Sequence, residues 1–335
     1  MLRSAALLSL LLSACGGGSD SPPDDASIGS DGEVIVDGPA GDGPMISGGV
    51  LFVSQAPAEP TNADPATWAG MRAFEIAADG AAATEITGIP GNVLKDPVST
   101  LYRSVSQEVF IGERHGTGAV DGVAGSIARF AYSTTAHAFT PSGRITGANI
   151  GSAIFQILLH PQTGELFACN VSTGVSRFTF TGNDAVANGT IADGACRGIA
   201  ISPDNKVLFM SNAGTTIRRF TLMTGAELPA ATVAAPANLH FMAVRAGQLY
   251  VGAIDASVVM RFQINADDTL SQLPSIPGPS TAVAIAFSAS GFEMFVSGVN
   301  TVARYSYNTA TDGWTHTGDI TPAGPAAGLV MLPNH

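Results

Sequence analysis

Charge is scarce in this 335-residue chain. Lys, Arg, Asp and Glu make up 13%, about half the usual share, which argues against helices with charged outer faces. Basic residues are scarcer still, 15 against 27 acidic ones, giving a formal net charge of −12. That balance disfavours nucleic acid or an anionic lipid surface as an electrostatic partner. Two tryptophans and three cysteines are present, too few for a disulfide-dense scaffold. No HExxH or CxxC spacing, GxSxG elbow or phosphate-cradling loop occurs, so the sequence assigns neither metal nor cofactor. Abundant instead are glycine (39), proline (20) and a 45% hydrophobic fraction. This composition suits many short strands joined by tight turns around a sizeable core.

The N-terminus carries an address. Arg3 precedes the apolar run Ala5 to Leu12, and Ser13-Ala14 are small residues before a cleavage site. The run is far short of the roughly 20 residues needed to span a bilayer, so residues 1–14 are expected to be a signal peptide. Leu12-Ser13-Ala14-Cys15 resembles the bacterial lipobox, which implies lipidation of Cys15 and a membrane partner through that anchor. Gly16 rather than aspartate follows, which favours the outer membrane of the cell envelope. Residues 15–47 are rich in Gly, Ser, Pro and Asp, with seven acids and no basic residue, the pattern of a self-repelling tether. A short apolar stretch at 33–37 interrupts it without a clear assignment. The remainder, 48–335, holds 20 acidic and 14 basic residues, so the charge of the chain resides largely in the tether.

The rest repeats. Second strands are expected at LFVSQ (51–55), VFIGE (109–113), LFACN (166–170), LFMSN (208–212), LYVGA (249–253) and MFVSG (294–298). Third strands contain Arg129-Phe130, Arg177-Phe178, Arg219-Phe220, Arg261-Phe262 and Arg304-Tyr305, with arginines 48, 42, 42 and 43 residues apart. Alternating apolar strands at this period predict an all-β propeller of six four-stranded blades rather than seven. Nothing before LFVSQ reads as an inner strand, whereas AGLVMLP (327–333) has no blade to follow. Joining the two closes the ring and removes exposed sheet edges. The arginines alternate with the aromatics, so they form either an anion-binding ring or stems lying along the sheet edge.

Ser202-Pro203-Asp204, Leu208 to Asn212 and Asn300-Thr301-Val302 resemble the YVTN type of β-propeller repeat. The resemblance extends loosely over 48–335 and implies the fold more than an activity, since such repeats serve binding, surface-layer and lactonase-like proteins. The lactonase branch usually has seven blades, against six counted here.

Two long loops, 56–70 and 114–125, interrupt the repeat on the face where second strands end. They are expected to bring Trp68 near Glu113, Arg114, His115 and Asp121. Trp68 would offer a stacking surface, Arg114 an anion contact, and Glu113 or His115 a base for water. Asn170 and Asn212 fall at the same rim in the next blades, where Asn also serves turns; one carboxylate among them is too few for calcium. His240 falls in an inner strand. With Cys15 acylated, Cys169 and Cys196 are the only thiols left, and their places at one end of adjacent blades predict a disulfide. These residues support a lipid-anchored binding module for a protein, peptide, glycan or small molecule. The alternative is a lactonase-like hydrolase of a small cyclic ester on the same face.

Overall fold

The computed structural model describes residues 48–333, apart from 56–68, 78–81, 115–124, 148–149, 152 and 233–237, and the backbone of 26–28 and 34–36. Trp68, His115, Asp121 and the lipidation candidate Cys15 lie outside the described residues. Six four-stranded antiparallel sheets follow one another around a central axis. Their inner strands are Pro97–Arg103, Ile154–Leu159, Gly198–Ile201, Leu239–Arg245 and Ile285–Phe287 in blades 2 to 6. Blade 1 takes its inner strand, Ala326–Pro333, from the C-terminus, where it pairs with Gly49–Gln55. The ring therefore closes by joining the two ends of the repeat region. Ala26–Ile28 and Val34–Val36 pair as a separate two-stranded ladder, so residues 34–36 belong to no blade.

Small residues set the blade spacing. The fourth position of the six second-strand motifs is Ser54, Gly112, Cys169, Ser211, Gly252 or Ser297. Ser211 Oγ donates to the carbonyl of His240 in the next inner strand, at 2.9 Å, and Ser297 Oγ donates to that of Ala327, at 2.8 Å. A Cβ at Gly112 would sit 2.7 Å from Ile154 of the next blade. Cys169 bonds covalently to Cys196, just ahead of the inner strand of blade 4, with Cα atoms 5.3 Å apart. Only small side chains fit this close approach.

The third-strand arginines run neither along a sheet edge nor as an open ring. Each stands opposite a second-strand aromatic, as in Phe110↔Arg129, Phe167↔Arg177, Tyr250↔Arg261 and Phe295↔Arg304. Arg129, Arg177 and Arg304 also pair with Glu108, Glu165 and Glu293, the acids that open the second-strand hairpins. Arg219 and Arg261 cross to the next blade and donate to the Asp268 and Asp312 carbonyls at 2.8 and 3.1 Å. A buried guanidinium needs such acceptors, since its desolvation otherwise costs several kcal/mol (about 3–5 when a partner is lost).

Candidate functional site

The channel has an upper mouth, where inner strands begin and second strands end, and a plug below it. Register slips between Ile154 and Gln156 in blade 3, and between Leu239 and Met242 in blade 5. Such bulges re-aim side chains, and here they release Phe155 and His240 from regular pairing. Below them Phe241 packs with Val98, Ala284 and Leu329. Gln156 ties three blades together: its Oε1 accepts from Ile199 N (2.9 Å) and Met242 N (3.0 Å), and its Nε2 donates to Met242 O (2.7 Å). An apolar cavity of about 80 Å3, lined by Leu158, Ile201 and Val244 among others, lies on the far side.

Positive charge gathers on Phe155. The Arg197 guanidinium lies 3.9 Å from the ring centroid and that of Arg114 lies 5.6 Å away. Arg114 is held from behind by Asp96, with Nε 2.6 Å from Oδ2 and Nη2 3.3 Å from Oδ1. Burial pushes the Asp96 carboxyl above its usual range, although Arg114 opposes the shift. The Arg197 backbone N–H donates to Ser211 O at 2.9 Å, but its guanidinium donates to no oxygen among the described residues, and burial followed by repulsion from Arg114 lowers its pKa. Phe155 also meets His240 edge-on, with centroids 6.0 Å apart.

His240 is held neutral. Burial first, then the charges of Arg197 and Arg114, lower its pKa to about 4. Asn238 Nδ2 donates to Asp255 Oδ1 at 3.1 Å, which makes Asn238 Oδ1 the acceptor facing His240 Nε2, also at 3.1 Å. The network thus assigns the proton to Nε2 and leaves a lone pair on Nδ1, a buried atom without a partner among the described residues. The unfolded imidazole titrates near 6.5 and the folded one near 4. His240 therefore contributes stability above pH 6.5 that is lost as pH falls toward 4, about 3 kcal/mol in full. Urea unfolding of wild type and His240→Asn at pH 7 and pH 4 should show wild type losing about that much more; equal losses would refute the depressed pKa.

Glu113 is fully buried, with Oε1 accepting from Lys95 N at 2.8 Å and Oε2 bound by Ser126 and Arg144. These bonds turn it away from the base role that its rim position suggests, and burial raises its pKa. Asn170 Oδ1 accepts from Thr173 N (2.6 Å) and Ser172 N (3.2 Å), and Asn212 Oδ1 accepts from Gly214 N (3.2 Å). Both oxygens brace local turns. Of the residues expected at the site, Arg114 is at the mouth. Phe155, Arg197 and Asp96 were missed. Their signal was faint: one arginine directly before the inner strand of blade 4, and one aromatic at a bulge invisible in sequence. No cluster of three or more metal-ligating side chains occurs among the described residues.

A 6-phosphogluconolactonase candidate from Bacteroides fragilis superposes with a TM-score of 0.61 at 10% identity, over 85% of this chain and 98% of that one. The periplasmic gluconolactonase of Pseudomonas aeruginosa gives 0.60 at 13% identity, over 85% of each chain. A chain of the nidogen/laminin complex gives 0.58 at 13%, over 84% and 98%. The likeness is one of fold. No protein-family description matches the chain, and no protein of curated function matches it by sequence.

Proposed function

We propose that this protein is a lactonase-like hydrolase that opens a small cyclic ester at the upper channel mouth. The observation that carries the reading is the Arg197 guanidinium, stacked on Phe155 without an oxygen acceptor among the described residues, beside Arg114 and a neutral His240. In this reading the Arg197 N–H groups hold the ester carbonyl oxygen as negative charge develops on it. A second water at the mouth takes the proton from the attacking water, since His240 Nδ1 is sealed from solvent. The ring C–O bond then breaks, its electron pair goes to the ring oxygen, and that oxygen receives the proton, leaving a hydroxy acid. Arg114, anchored by Asp96, adds positive potential without closing the mouth. Gluconolactonases among the structural neighbours support the choice of a sugar lactone as first substrate. Cys15, if acylated, would place this activity on the envelope membrane.

The test is hydrolysis of gluconolactone by wild type and Arg197→Met. About a hundredfold loss of kcat/KM in the variant, at unchanged melting temperature, is the expected result, the scale of one oxyanion donor. Turnover no faster than buffer, or equal rates in both proteins, would defeat the reading. A second reading, binding without turnover, draws on the same free guanidinium, which suits any small anion. It is favoured if gluconate binds calorimetrically, loses affinity in Arg197→Met, and no lactone is hydrolysed.

A further inference from the structure

Five arginines are buried among the described residues: 129, 219, 245, 261 and 304. Four of them donate to side-chain or carbonyl oxygens. Arg245 is the exception. It ends the inner strand of blade 5, at the opposite end of the channel from the Arg197 mouth, and is 8% exposed. Its Nε is sealed from solvent with no partner, and no carboxylate lies within ion-pair distance among the described residues. Aromatic rings of blade 6 line its place instead: Tyr307 at 4.3 Å, Trp314 at 5.2 Å and Phe292 at 5.7 Å from the guanidinium carbon. All three rings are half-buried at the surface. Gly291, with φ +69°, lies against Nε, where a Cβ would sit 2.9 Å away.

We propose that Arg245, Tyr307 and Trp314 form a second ligand site, distinct from the upper mouth, for a small molecule carrying a carboxylate on a flat apolar body. Stacked rings satisfy the faces of a guanidinium but not its in-plane N–H groups, which match a carboxylate in bidentate geometry. The half-exposed rings supply a wall for the apolar body. Asp312, the acid bonded to Tyr307, is already engaged: its Oδ1 accepts from Tyr307 Oη at 2.6 Å and both oxygens face Arg261 at 3.1 Å. It therefore neither neutralises Arg245 nor carries a bare charge against the ligand.

Trp314 makes the site observable, since Trp68 is the only other tryptophan. In a Trp68→Phe background, benzoate at constant ionic strength should change Trp314 fluorescence saturably, with a midpoint on the order of 10 mM for a ligand this small. Benzyl alcohol, which lacks the charge, should not. Arg245→Met should raise the midpoint at least tenfold, and Arg197→Met should leave it unchanged. No saturable response to benzoate, or the same response to benzyl alcohol, overturns the proposal even if Arg245→Met fails to fold. A benzoate response shifted by Arg197→Met and not by Arg245→Met would assign the carboxylate to the upper mouth and overturn it equally.

Discussion

Glu108→Ala is expected to destabilise the protein by about 3–5 kcal/mol, the cost of leaving a buried charge without its partner. Both Glu108 oxygens accept from Arg129 Nη2, at 2.8 and 2.9 Å, and Ser142 Oγ donates to Oε1 at 2.9 Å. Burial pushes the Glu108 carboxyl up, but the bonds from Arg129 and Ser142 outweigh it and hold its pKa below the usual range. Arg129 has no second carboxylate among the described residues to turn to, its Nε is already unpartnered, and its guanidinium lies 5.4 Å from the Phe110 ring centroid. The double replacement Glu108→Met with Arg129→Met removes both charges and keeps the volume, so it should recover most of the loss. Urea midpoints at unchanged m values would measure both. A loss below about 1 kcal/mol in Glu108→Ala would show that water reaches Arg129 and that the pair behaves like a surface one.

Removing the Cys169–Cys196 bond should cost about 3 kcal/mol, because the bridge closes a 27-residue separation and restricts the unfolded chain. Both residues are fully buried beside Phe155, Val175 and Ile199, so Cys169→Ala with Cys196→Ala leaves apolar neighbours rather than stranded polar groups. The bond also holds the start of the blade 4 inner strand, and Arg197 is the next residue. The double variant should therefore lose gluconolactone turnover, or gluconate affinity, beyond the loss in stability. Stability within 1 kcal/mol of wild type in non-reducing urea titrations would mean that the blade interface alone supplies the constraint.

The blades were legible because each strand satisfies a local rule. Short apolar runs such as LFMSN, bounded by turns such as Ser202-Pro203-Asp204, and arginines some 42 residues apart specify a sheet that repeats. Closure was legible as well, because an unpaired inner strand at 327–333 must find the strand that lacks one. The site was not. Glu113 and Asn170 stand at the rim in sequence order, yet their side chains are spent on Arg144, Ser126 and a local turn. Their polarity serves the fold.

Strand order and blade number follow from the sequence by itself, since short-range patterning determines them, and the expected link between Cys169 and Cys196 is present in the structure. Only the tertiary structure decided which charges remain free. Arg129 and Arg245 are both arginines at strand positions, but one meets Glu108 and the other meets three rings. Arg114, Arg197, Phe155 and His240 come from four different blades, or from the turns entering and leaving them, and converge through bulges that shift register by one residue. Pairwise convergence across the ring depends on blade packing and not on the period of any strand, so no local pattern records it.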